Sequence, residues 1–475
     1  MSEAAEAETG ANRGRSPHRR RRVRTRRPQS RPTKDPENKS RVQSNTPPTK
    51  ATKPHVSTGQ EHEVNTVPIL ASPSQGIPSL IDTQHDLVAV AEALERSTMP
   101  SALDTERAQG RRYGSGAYLV QVRKDDVGTF LIDSHALPDL SSLQESLNTT
   151  WIFHAADQDL RCLLDLGLQP PALFDTETAG RLTGLRRFSL GALTEELLDV
   201  RLMKTHQDED WSRRPLPEAW LSYAALDVEL LTSLKSELEH RLDELGRSEW
   251  AAQEFEFEMA HPVEPRTPSW RNLKGVGRLR KPEEMAIAKE LWKAREDIGQ
   301  RTDLAPGRVL AAGGIIDAAV LHPRSKRDLS TIEAFRRPVA RRHLDKWWEA
   351  IERAYALPAR KLPRRAQHDP SVIPPASAWR SSNPEGLQRL AEVRTLVANV
   401  AQGLDLDPDV VLEPRAQRVV AWRPLPRADS LSSAVASRLE ESQARPWQRD
   451  LVITEVHRAQ SDKRASVQAL EARLQ

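Results

Sequence analysis

Two acids spaced two residues apart, Asp104 and Glu106, close a short apolar run in the stretch "TMPSALDTE". In an extended strand that spacing sends both side chains to one face. Asp159 follows the apolar run "WIFHA" in the first turn of an expected helix, within reach of the same sheet edge. Tyr223 and Asp227 stand four residues apart in "SYAALDVELL", hence on one face of a helix. Each signal is weak alone. With 67 acids in 475 residues, an acid-x-acid pair arises by chance about nine times. Order and context carry the weight: four carboxylates from three separate elements, converging on one strand end, repel one another unless cations neutralise them. Carboxylates are the hard oxygen ligands that Mg²⁺ and Mn²⁺ take. Such a set suits two-metal phosphodiester hydrolysis, with one ion activating water and the other stabilising the leaving oxygen.

The elements that must position these groups are legible as a pattern. "AYLVQVR" and "TFLID" read as strands joined by a turn at "KDDVG", after a strand ending at Asp104. "WIFHA" and "PALFDT" are a fourth and a fifth strand. Helices are expected from about Asp157, through Leu193–Leu198 and through Pro217–Leu242. Close strands followed by strands alternating with helices describe a mixed α/β sheet, compatible with the ribonuclease H-like fold.

On these residues the chain resembles the ribonuclease D family. "LDTERA", "WIFHAADQDLRCLLDLGL", "FDTETAGRL" and "DWSRRPLPEAWLSYAALDVELL" look like the three exonuclease motifs of the DEDD group, tyrosine subclass, in order over about residues 81–250. The resemblance implies Asp104, Glu106, Asp159 and Asp227 as ligands of two divalent metal ions, Mg²⁺ or Mn²⁺, with Asp104 bridging both. It implies Tyr223 as the group that orients or helps deprotonate the attacking water. It further implies 3′-5′ removal of nucleoside 5′-monophosphates from RNA, tRNA precursors being the usual substrate. Related domains act on DNA, and a non-catalytic RNA-binding scaffold is the third reading; the latter predicts a lost acid, and none is lost. Asp157 competes with Asp159, but the H-x-x-x-x-D-L spacing from His154 favours Asp159. One departure is Arg107, where the family usually has a bulky aromatic near the terminal base, so substrate preference is expected to differ. Arg107 and Lys204 are candidate nucleic-acid contacts. Asp175 reads as an N-cap, His154 as a strand-end residue and Cys162 as core.

Beyond the α/β part the chain reads as almost wholly helical. "DLAPGRVL" at Asp303–Leu310 is repeated as "DLDPDVVL" at Asp405–Leu412, an offset of 102 residues. The first copy resembles the helicase-and-ribonuclease-D C-terminal (HRDC) domain, and the second a degenerate member of it. Arg336, Arg337, Arg341 and Arg342, beside Trp347 and Trp348, are candidate phosphate and base contacts. The expected organisation is therefore a disordered basic segment (1–79), an exonuclease domain (80–250), a linker (251–280) and an HRDC domain (281–358). A Pro-rich linker (359–384), a second HRDC-like module (385–458) and a tail (459–475) complete it.

Charge is uneven. Residues 1–60 carry +10 against +3 for the whole chain, concentrated in "RSPHRRRRVRTRRPQSR". Such a run neutralises phosphates without reading sequence; a solvated tail is the alternative. A single cysteine excludes an intramolecular disulfide framework and fits a reducing compartment. No apolar run reaches the ~18 residues that cross a bilayer, and the N-terminus has no apolar signal region. The expected place is the cytoplasm, with RNA and no membrane as partner.

Overall fold

The computed structural model of the chain describes residues 67–474, apart from 109, 204–205, 207–208, 265–266 and 366–371, with side chains as far as 462. Its strands are β1 (Ile69–Leu70), β2 (Leu80–Ile81), β3 (Ser101–Arg107), β4 (Ala117–Lys124), β5 (Gly128–Ile132), β6 (Thr150–Phe153), β7 (Ala172–Asp175) and β8 (Arg201–Leu202). Six form one mixed sheet in the order β2-β5-β4-β3-β6-β7, and β1 pairs with β8 alone. β3, β4 and β5 are an antiparallel meander, whereas β6 and β7 join β3 in parallel. The α/β architecture read from the sequence is therefore present. β3 outruns its expected end at Asp104: Asp104, Thr105, Glu106 and Arg107 all pair with β4. Their polarity reads as a loop, but the neighbouring strand supplies the hydrogen bonds.

The helices of this part are α1 (Gln84–Glu95), α2 (Leu160–Asp165), α3 (Thr176–Leu182), α4 (Leu190–Leu197), α5 (Glu218–Glu229), α6 (Leu231–Glu244) and α7 (Ser248–Ala260). A core of Leu103, Val120, Trp151, Phe153, Leu163, Leu234 and Leu238 fills one side of the sheet. On the other, Leu119, Leu131, Trp211, Trp220, Tyr223 and Ala224 pack α5 against β3, β4 and β5. Ordering begins before residue 80: β1 pairs with β8, and the Ser74 amide donates to Glu229 Oε1 at 3.3 Å. Of the expected disordered segment, residues 1–66 lie outside the described residues.

Three other expected boundaries fall within continuous structure, two of them through tertiary burial of locally polar sequence. The linker expected at 251–280 begins inside α7, where Ala251 and Phe255 are buried and Glu254 accepts from Arg445 Nε and Trp447 Nε1, both at 2.8 Å. In the Pro-rich stretch 359–384, Trp379 is fully buried against Leu390 and Ala421. The tail after 458 continues a helix that runs Pro446–Leu474.

The internal repeat reappears in the backbone. Helix α8 (Pro282–Thr302) has 21 residues, opens on proline, and is followed by Asp303 at φ 48° and a short helix Pro306–Val309. The helix Pro384–Leu404 also has 21 residues and opens on proline; Asp405 follows at φ 52°, then the short helix Pro408–Val411. Aspartate is among the few side chains that tolerate this left-handed backbone. Each repeat keeps its own apolar core, the first around Leu291, Ile315, Phe335 and Trp347, the second around Val397, Leu412 and Leu439. Among the described residues no helix is long and apolar enough to cross a membrane.

Candidate active site

β3 delivers Asp104 and Glu106 to one face, and α5, laid across that face, delivers Asp227. One carboxylate oxygen from each of the three lies within 4.8 Å of the other two. Tyr223 is one turn before Asp227 on α5, and its hydroxyl donates a hydrogen bond to the Asp227 carboxylate. Its ring is held by Trp211 at 6.4 Å and by His206 edge-on at 6.1 Å, centroid to centroid. Asp159, immediately before α2, is buried and accepts from Thr105 Oγ1 at 2.5 Å. It lines the same cavity but is outside the tight set of three.

Electrostatics explain what this cluster needs. Burial, then the nearby Asp227, pushes Asp104 up from 3.8 to about 8. Burial pushes Asp227 to about 7, although the Tyr223 hydrogen bond pulls it back. Glu106 and Asp159 are raised well above the carboxylate range, first by burial and next by Asp104. Tyr223 is pushed far above the usual phenol value, again by burial first and then by Asp227. Arg107 opposes the rise at Asp104, Glu106 and Asp159, but it is a smaller influence than burial at each. An all-oxygen set whose charges are this costly fits hard divalent cations, which supply the missing positive charge.

The cavity over these groups measures about 310 Å³. Arg107 lines it, where its guanidinium donates from Nη1 to the Gln158 carbonyl at 2.6 Å and from Nη2 to Gln158 Oε1 at 3.3 Å. His154 is in the wall with Nδ1 3.0 Å from Thr176 Oγ1. Asp175 caps α3 as expected, accepting from the Glu177 and Thr178 amides, and also fixes the Ala155 and Ala156 amides just before Asp159. Cys162 is buried, its Sγ 3.2 Å from the Ser115 carbonyl. Lys204 lies outside the described residues. Arg336, Arg337, Arg341 and Arg342 are exposed on the first helical module, and none of them lines the cavity. Trp347 is fully buried there with Nε1 donating to the Ala340 carbonyl at 2.8 Å, so it is core and cannot stack on a base. Sequence reasoning missed Thr105, Gln158 and the wall formed by Ser189, Gly191, Leu202 and Met203. Thr105 and Gln158 adjoin motif acids; the wall has no local signal, because the fold brings it in from the α3–α4 connection and β8.

Family models match in the same order as the modules. One described as "3'-5' exonuclease" covers residues 78–243, the HRDC domain model covers 284–351, and a "3' to 5' exonuclease C-terminal domain" covers 372–459. Ribonuclease D of Gluconacetobacter diazotrophicus is 32% identical over 299 residues, 61% of this chain and 75% of that protein. Ribonuclease D of Pseudomonas paraeruginosa is 30% identical over 345 residues, 70% of this chain and 87% of that one. A crystal structure of a protein from Bifidobacterium adolescentis is 33% identical with TM-score 0.74, covering 82% of this chain and 99% of its own. That of Escherichia coli RNase D, at 23% identity and TM-score 0.58 over 77% and 99% of the two chains, shares the fold. Motifs, sheet order and these relatives agree: the chain belongs to the Ribonuclease D family, a 3′-5′ exoribonuclease of the DEDD type with an HRDC domain behind its exonuclease domain.

Proposed function

We propose that Asp104, Glu106, Asp159 and Asp227 hold two divalent ions, Mg²⁺ or Mn²⁺, at the last phosphodiester of an RNA 3′ end. The substrates proposed are structured RNAs with 3′ extensions, tRNA precursors among them, in the cytoplasm. The observation that carries this reading is the convergence of three half-buried carboxylates within 4.8 Å, beside Tyr223. Bound ions supply Lewis acidity, lowering the cost of forming hydroxide and of charge on the leaving oxygen. The chain's own groups do the rest. In the metal-free chain burial and its carboxylate neighbours disfavour the Tyr223 phenolate. Anchored on Asp227, Tyr223 orients or helps deprotonate the attacking water. Arg107, fixed on Gln158 at the cavity wall, meets the terminal nucleotide with a cation where the family usually has an aromatic. The exposed Arg336, Arg337, Arg341 and Arg342 add sequence-independent phosphate contacts.

The test is a time course on a 3′-extended tRNA and on single-stranded DNA of equal length, with Mg²⁺, Mn²⁺ or EDTA. Stepwise shortening of the RNA from its 3′ end with either ion, slower on DNA and absent in Asp104→Ala, is the expected result. Wild-type protein that binds the RNA and leaves its length unchanged with both ions refutes it.

A further inference from the structure

A second concavity, of about 630 Å³, opens from the catalytic one and shares Ser189, Gly191 and Leu202 with it. Its remaining wall carries Arg186, Arg187, Arg201 and the half-buried Phe188, with Ala192 and with Glu195, which is paired to Arg201. We propose that this groove is the binding site for the single-stranded RNA segment preceding the 3′-terminal nucleotide, with the arginines on its phosphates and Phe188 under a base. The inference rests on the exoribonuclease reading of the carboxylate cavity.

Three observations carry it. The first is continuity. A strand whose last phosphodiester lies at the carboxylates must leave a cavity with an acidic floor, and this groove adjoins it with a wall of guanidinium groups. The two volumes fall in the range of about 300–1,000 Å³ that recognition clefts occupy, so the cavity suits a terminal nucleotide and the larger groove the segment behind it.

The second is charge that phosphate can take over. Arg186, Arg187 and Arg201 rest on Asp405, Glu196 and Glu195, and all three arginine side chains are more than half exposed. Ion pairs this exposed contribute little to stability, so a phosphate that can take two parallel N–H donors from guanidinium displaces the carboxylate at small cost.

The third is preorganisation. The Arg181 guanidinium lies 3.7 Å from the centroid of the Phe188 ring and is itself tied to Glu177. Gly184, at φ +84°, lets the Asp405 carbonyl approach so closely that an added Cβ would stand 2.7 Å from it. The groove wall is thus braced by the second helical module, and stacking on an aromatic beside basic groups is how single strands are held without sequence preference.

The experiment compares an RNA octanucleotide with a dinucleotide for the wild type and the double variant Arg187→Gln/Arg201→Gln. Both side chains are exposed, so folding is expected to survive, and circular dichroism checks it. The ratio of kcat/KM for the octamer to that for the dinucleotide is expected to fall about tenfold. Octamer affinity is also measured against salt in EDTA. Losing two phosphate contacts should lower the slope of log affinity on log salt by roughly 1.4, at about 0.7 per contact for a single strand. Glu195→Gln, which frees Arg201, is expected to raise the same kcat/KM ratio. An unchanged ratio together with an unchanged salt slope overturns the groove. Wild-type protein that hydrolyses neither RNA counts against the exoribonuclease reading instead, and the binding slope in EDTA still decides the groove.

Discussion

Replacing Asp104 by asparagine removes one charge from the carboxylate cluster and keeps its shape. In the metal-free protein Asp104 ionises only at about 8, against an ordinary 3.8, because burial and then Asp227 disfavour the anion. The folded state therefore binds this proton more tightly than the unfolded chain. Stability is full below pH 4, falls as pH rises from about 4 toward 8, and levels off above that, the sign that linkage assigns to a raised acid. At about 1.4 kcal/mol per tenfold change in proton affinity, the rise caps the penalty at roughly 6 kcal/mol. Glu106, Asp159 and Asp227 share the same cluster and its protons, so the asparagine is expected to recover roughly 2 kcal/mol at pH 8. For a domain of this size that is about 4–8 °C in Tm. The assay is thermal unfolding in EDTA at pH 8, 6.5 and 5, repeated with Mg²⁺. In EDTA the variant should melt above the wild type at pH 8, with the gap shrinking to about a third at pH 5. Mg²⁺ should raise the wild type and not the variant, which also loses activity. A variant that melts below the wild type in EDTA at pH 8, or a gap independent of pH, refutes the claim that burial and the neighbouring acids disfavour the Asp104 anion in the folded chain.

Tyr223→Phe keeps the ring between Trp211 and His206 but removes the hydroxyl on Asp227; kcat is expected to fall roughly 10²–10⁴-fold with KM little changed, read by single-turnover hydrolysis. The neighbouring acids Asp157 and Asp159 separate by burial, only Asp159 being buried and bonded to Thr105. Asp159→Ala should lower kcat/KM on the order of 10³-fold and Asp157→Ala less than about tenfold; equal losses would reassign the motif.

Much of the site was legible in the sequence because it obeys two local periods. Asp104 and Glu106 share a face by the strand period of two, and Tyr223 and Asp227 by the helical turn. Asp159 needed the spacing from His154 as well, since its position depends on the irregular backbone at Ala155, which sits at φ 66°. What stayed hidden depends on partners far away in sequence. Arg107 pairs with Ala117 and so extends β3 by tertiary contact, against its local polarity. Glu254 reads as linker until Arg445 and Trp447, some 190 residues later, complete its hydrogen bonds. The groove wall at Arg186–Ser189 has no motif, because single arginines in a loop are indistinguishable from solvated ones until the fold shows the cavity that they border.

The internal repeat gains a meaning that its sequence alone does not carry. In the first copy the left-handed Asp303 accepts from the Tyr113 amide at 3.2 Å and from Arg112 Nη1 at 3.3 Å. The Ala305 amide donates to the Arg111 carbonyl at 3.1 Å, and Arg308 Nε to the Gly110 carbonyl at 2.9 Å. In the second copy the corresponding Asp405 accepts from Arg186 Nη2, and the carbonyl of Leu404 accepts from Arg247 Nη2 at 2.6 Å. The same turn therefore meets different parts of the exonuclease domain: in the first copy the loop leaving β3 just after Glu106 and Arg107, and in the second Arg186 before α4 together with Arg247 between α6 and α7. An aspartate serves both because its left-handed backbone reverses the chain while its carboxylate stays free to accept. Exposed ion pairs of this kind add little to stability, whereas a loop displaced by about 1 Å at a reacting centre can cost ~10²-fold in rate. On that arithmetic the first copy's turn matters for holding the loop after β3 in register with the carboxylates, while in the second copy the exposed Asp405–Arg186 pair yields to phosphate and the module is held by the Leu404–Arg247 hydrogen bond and the close approach of the Asp405 carbonyl to Gly184.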